Sequence, residues 1–130
     1  MAETYNTQQA AGRKKLADAL VAAVLRAGGK AEISTNRHTE RSLWVEISTD
    51  HYAATIWING ERRKQETFFV IPWHAKSDAP RLSSMFGFTA GGPVNQYHDQ
   101  KCTAVADDAT ALLERVPAAI RMLVSGEAFA

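Results

Sequence analysis

Residues able to do chemistry are few in this chain, and they are loosely spaced. His74 and Asp78 stand four apart, His98-Asp99 shortly precedes Cys102, and there is no second cysteine. If folding brought His74, His98 and Cys102 together, two nitrogens and one sulfur would suffice for a catalytic zinc with an open position. Cys102 beside a histidine could also act as a nucleophile, given a base and a thiolate-stabilising setting such as a helix N-terminus. A small His/Cys-dependent hydrolase would use these residues. The spacing does not support one: His-x3-Cys is a single generic pair, with no Cys-x2-Cys or His-Glu-x2-His pattern around it. A lone cysteine in a chain of this size is most often a small buried apolar side chain. Gly87-Phe88-Thr89-Ala90-Gly91-Gly92 lacks the lysine of a phosphate-binding loop and follows no clear parallel strand. The expectation is no catalytic residue, no metal and no cofactor.

A different constellation carries more weight. Trp44 and Trp57 share a strand parity with Glu46 and Thr55, and a tight turn at Asn59-Gly60 would add Arg62 and Lys64 to the same face. Aromatic rings among cations on an open sheet make a stacking platform for unpaired bases, with charge to hold phosphates. They equally make a protein interface, where Trp and Arg dominate the binding energy. A third outcome is that a helix covers this face and the tryptophans are core. Arg13-Lys14-Lys15 is a separate basic run, either a handle for a partner or a solvated helix face.

Three strands must position the tryptophans. Residues 42–48 and 52–58 alternate with period two, and residues 67–71 form a third run rich in β-branched and aromatic side chains. Asp50-His51 turns the chain between the first two runs. Asn59-Gly60 is a strong signal for a two-residue hairpin, because both residues tolerate positive φ. That turn would set Ile58 opposite Glu61, Trp57 opposite Arg62 and Thr55 opposite Lys64. It would also set Arg63 opposite Ile56 on the core side, so a longer loop through Glu61–Lys64 stays open. Leu43, Val45, Ile47, Ile56 and Ile58 form the expected core face, and Pro72 is expected to end the sheet segment.

Helices flank this centre. Leu16, Leu20, Ala23, Val24 and Ala27 recur at helical spacing, predicting a helix over residues 7–27, capped by Asn6 or Thr7 and ended by Gly28-Gly29. Residues 1–6 form a frayed lead-in, and residues 30–35 are a weakly patterned first strand. Residues 73–101 are irregular, with Met85-Phe86-Gly87-Phe88 as a short apolar segment inside. From Thr103 onward Val105, Ala109, Leu112, Val116, Ile120 and Leu123 make a second stripe. It keeps its phase across Pro117, predicting a kinked helix or two helices joined there. Leu20, Val24, Val45, Ile47, Ile56, Leu112 and Leu123 should share one core. The α-β-β-β-α order superficially resembles that of double-stranded-RNA-binding domains. Those domains carry a lysine cluster at the start of the last helix, whereas here Asp107-Asp108 follow Lys101, so no family is assigned.

The expected fold is therefore one α+β domain, an antiparallel sheet of three to five strands with N- and C-terminal helices packed on it. At 130 residues, 45% apolar and 22% charged, the chain can bury a core without disulfides. A net charge of +1 provides no overall attraction to nucleic acid or an anionic membrane. Residues 12–76 nevertheless hold eleven Lys and Arg against seven Asp and Glu. The N-terminus carries an acid and no apolar run, and no stretch approaches membrane-spanning length, predicting a cytoplasmic protein with no membrane partner. The expected function is a non-enzymatic binding protein acting stoichiometrically on a larger macromolecule. Phage-type or mobile-element inhibitors of host defence complexes share this size and lack of catalytic motifs. A nucleic-acid-binding module is the alternative, a hydrolase the third reading, and self-association is compatible with each.

Overall fold

A computed structural model describes residues 10–35, 42–59, 68–83, 103–106 and 109–130. Two helices flank five strands in the order α1 (Ala10–Arg26), β1 (Lys30–Thr35), β2 (Ser42–Ser48), β3 (Tyr52–Asn59), β4 (Phe68–Ala75), β5 (Thr103–Ala106) and α2 (Ala109–Ser125). The strands form one antiparallel sheet in chain order, so every neighbour in space is a neighbour in sequence. This is the expected α+β arrangement.

Alternation decides which face is core. Val45, Ile47, Ala54, Ile56 and Ile58 point to one side and are buried there against Leu16, Leu20 and Val24 of α1 and Leu112, Val116 and Ile120 of α2. Leu43, Ala31 and Ile33 pack on the rim of the same cluster. Leu123 belongs elsewhere than expected: it joins Tyr52, Ala119 and Ala128 in a second cluster, with Trp73 touching both. Helical rotation also turns Arg13 inward with Leu16, Ala17 and Leu20, leaving it only 4% exposed. The Arg13-Lys14-Lys15 run is therefore not one basic surface patch, and Lys14 is engaged with Asp18 at 2.7 Å.

Helix α1 ends as its glycines dictate. Gly28 adopts φ +100°, its N–H donates to the Leu25 carbonyl, and the Gly29 N–H donates to the Val24 carbonyl, both at 3.1 Å. That pair of bonds is the Schellman arrangement, which needs a left-handed residue at Gly28. Gly29 is required for a different reason: a Cβ there would lie 2.8 Å from Ile120 Cγ2 and 3.2 Å from the Ser48 carbonyl oxygen. The end of α1, the middle of α2 and the end of β2 meet at this one glycine. The predicted caps at Asn6 and Thr7 lie outside the described residues.

Three further expectations need correction. The β3–β4 register pairs Ile58 with Phe68, Trp57 with Phe69 and Ile56 with Val70, which overturns the Ile58–Glu61 pairing of a two-residue turn and leaves the longer-loop alternative, whose residues 60–67 lie outside the described residues. Val70 rather than Arg63 thus stands opposite buried Ile56, which removes the difficulty of a guanidinium at that register position. Second, Pro72 does not end the sheet. β4 continues to Ala75, and the register shift between Ala53 and Thr55 inserts one extra β4 residue beside Pro72, where a missing N–H is tolerated. The same shift reverses the parity of β4, which lets Trp73 reach the core. Third, Thr103–Ala106 is strand rather than helix, so Val105 leaves the helical stripe. The stripe's remaining members are all buried on α2, a single helix that continues through Pro117.

The chain beyond β4 is less irregular than its sequence suggests. The Lys76 N–H donates to the His51 carbonyl at 2.8 Å, and the Tyr52 hydroxyl donates to the Pro80 carbonyl. Leu82 then forms a bridge with Phe129, in which Ser83 N–H donates to the Ala128 carbonyl and Ala130 N–H to the Arg81 carbonyl. The C-terminal tail is thereby fastened over the second cluster. Met85–Phe88 lies outside the described residues.

Candidate binding face

The sheet face opposite the helices is set by the turn at Asp50-His51. Thr49 N–H donates to the Tyr52 carbonyl at 2.8 Å across this two-residue loop. Counting back from that closure places Trp44 directly opposite Trp57, Glu46 opposite Thr55, and Ser48 opposite Ala53. On β1, Ser34, Glu32 and Lys30 fall opposite Trp44, Glu46 and Ser48. On β4, His74 falls opposite Ala53. The face thus carries three rows across the strands: an aromatic row on Trp44 and Trp57, an acidic row on Glu32 and Glu46, and a row with Lys30 and His74.

Both helices pack on the other side, so neither α1 nor α2 covers these residues. Trp44 and Trp57 are half-buried, their rings edge-to-face with centroids 6.0 Å apart and planes at 86°. Such a pair contributes about 0.5–1.5 kcal/mol beyond the area it buries. Each indole Nε1 is shielded from water yet has no acceptor among the described residues. A donor withheld in this way costs about 1–3 kcal/mol until something accepts its hydrogen bond.

Beside the aromatic row the face dips into an open concavity of about 470 Å³. Lys30, Glu32, Glu46 and Lys76 line it, with His74 beside them. Two lysines meet two glutamates there, and the Lys76 ammonium is already committed to the Thr49 carbonyl at 2.7 Å. No cationic track crosses the face among the described residues. The acidic pair is unusual, because like charges directly opposite on neighbouring strands destabilise a sheet.

The structure brings Trp44 and Trp57 together but leaves their expected companions apart from the picture. Arg62 and Lys64 lie outside the described residues, and the register positions expected for them opposite Trp57 and Thr55 are held by Phe69 and Ile71. The hydrolase residues fare similarly: His74 is exposed on β4, whereas His98 and Cys102 lie outside the described residues. No group of three metal-ligating side chains occurs among the described residues. None of their helices is long and apolar enough to cross a membrane. The sequence reasoning did not place Lys30, Glu32 or Lys76 on this face, and it considered His74 only as a hydrolase or metal-binding residue. Only the pairing of β1 and the parity change in β4 bring them to this face, and the tight Asp50-His51 turn alone could not reveal either. Comparison with protein-family models, with curated proteins and with solved structures yields no match.

Proposed function

We propose that this chain is a small, non-enzymatic binding protein that acts stoichiometrically on a larger protein partner through the face carrying Trp44 and Trp57. The observation that carries the reading is the placement of that pair. Two tryptophans stand directly opposite each other on the side of the sheet away from both helices. A globular domain does not need such a pair for its core, and tryptophan is the side chain most enriched where interfaces concentrate their energy. The two indole donors without an acceptor among the described residues add support, since a partner's carbonyl is an acceptor that would relieve their cost. The balance of two lysines and two glutamates in the adjoining concavity favours a protein over a polyanion. Within this class, an inhibitor of a host defence complex, as phage and mobile elements encode, fits the chain's size and its lack of catalytic motifs.

Labelled single-stranded and double-stranded oligonucleotides titrated at low and at physiological salt test the partner class. Weak binding that vanishes at physiological salt agrees with a protein partner. Sub-micromolar binding that survives there would replace this reading with a nucleic-acid-binding module. Affinity capture from host lysate then supplies the partner for the measurements below.

A further inference from the structure

The two edges of the sheet are built differently. β5 is four residues long, and its ladder to β4 is interrupted by a register shift. β1 is six residues long, pairs continuously with β2, and contains neither proline nor bulge. Natural edges are blunted by shortness, proline, bulges or charge, because an open row of N–H and C=O groups templates another strand. Among the described residues no strand occupies the outer side of β1. Its only charges are Lys30 and Glu32, opposite in sign, two residues apart, on one face and both exposed.

We propose that β1 pairs antiparallel with β1 of a second copy of this chain, about a two-fold axis at Ala31, joining the two sheets into one. Antiparallel partners share a face, so the axis must pass through a residue of β1. An axis at Glu32 opposes that carboxylate to itself. An axis at Ile33 sets Glu32 against the partner's Ser34 and gives it no cation. The axis at Ala31 sets Lys30 against the partner's Glu32, and Glu32 against the partner's Lys30, forming two identical ion pairs. The strand is complementary to itself in this register, as an isologous interface requires.

The same register also bears on a like-charge pair within the chain. Glu32 stands opposite Glu46 of β2. A second copy places an ammonium on the other side of Glu32, so the like pair gains a cation. On the helix side, Ala31 falls opposite the partner's Ala31, small enough for close approach. One consequence reaches the binding face: both Trp44–Trp57 pairs come to lie on the same side of one continuous sheet, offering a repeated partner two sites at once.

Sedimentation equilibrium of the full chain from micromolar to millimolar concentration tests the proposal, with Lys30→Glu, Glu32→Lys and the double exchange as variants. The unaltered chain should form dimers whose dissociation constant rises with salt. Each single exchange replaces two attractions by two repulsions and should raise that constant about tenfold or more, at the scale of exposed charge pairs. The double exchange restores opposite charges and should recover the original constant to within about threefold. Far-UV circular dichroism checks that the variants fold, and the salt dependence of the unaltered chain gives an answer independent of any variant. A chain monomeric throughout, a dimer indifferent to salt and to the single exchanges, or a double exchange no better than the singles would each overturn the proposal.

Discussion

Replacing Gly29 by alanine is the sharpest single probe of how the helices are fixed to the sheet. The residue does not occupy the left-handed region, so an alanine there meets no backbone penalty and the effect is one of space. The added carbon would sit 2.8 Å from Ile120 Cγ2, 3.1 Å from Val24 Cγ1 and 3.2 Å from the Ser48 carbonyl oxygen. The first two neighbours are fully buried side chains and the third is backbone, so none can yield cheaply. Overpacking of this kind costs about 1–3 kcal/mol. Restricting the unfolded chain returns about 0.4–1 kcal/mol of that. The net expectation is a loss of about 1–2 kcal/mol, read as a lower urea midpoint at constant slope, or as a melting temperature lower by about 4 °C per kcal/mol. Ile120→Leu removes the offending Cγ2 methyl while conserving volume. In its background Gly29→Ala should cost less, with a coupling of at least about 0.5 kcal/mol. A neutral or stabilising Gly29→Ala, or strict additivity with Ile120→Leu, would mean that α1, α2 and β2 do not converge at this glycine.

Other expectations follow from the same packing. Leu112 is fully buried in the main cluster, so Leu112→Ala should cost about 2–5 kcal/mol, and a loss under half a kilocalorie in denaturant titration would refute the packing. Lys14→Ala should change stability by no more than about 0.5 kcal/mol, an effect erased by salt, because its pairing with Asp18 is exposed on both sides. Protein purified without added metal should hold no stoichiometric zinc, and Cys102→Ser should leave partner binding intact. Stoichiometric zinc by elemental analysis, or a thiol-dependent activity in a folded protein, would revive the hydrolase reading.

How far the fold could be read from sequence depended on how local each signal was. The strand at Lys30–Thr35, the turn at Asp50-His51 and the glycine stop at Gly28 emerge at the expected places because a handful of adjacent residues settle each one. Even the Trp44–Trp57 pairing follows from that one tight turn by counting. Asn59-Gly60 misled because its turn chemistry is local while the register of β4 is a tertiary matter: Val70, not Arg63, stands opposite Ile56. Pro72 misled for a related reason, since a bulge can host a proline inside a strand and no sequence rule says where bulges fall. Thr103–Ala106 is four residues whose Val105 happens to lie one helical turn before Ala109, and only pairing with β4 makes it a strand. The binding face was half legible. Its tryptophans follow from alternation, but the charges beside them come from strands whose pairing is a tertiary event.

The measurement that bears most directly on the function is the affinity of the captured partner for Trp57→Ala against the unaltered chain, at two salt concentrations. Trp57 lies outside both buried clusters, so the variant should keep its fold, which circular dichroism and a melting curve verify. A protein partner docked on this face should lose more than about 2 kcal/mol, as interface anchors do. Salt should act mainly on the association rate, through rim charges such as Lys30 and Glu46. A partner that binds folded Trp57→Ala as tightly as it binds the unaltered chain would contradict the account, because docking would then lie elsewhere on the molecule.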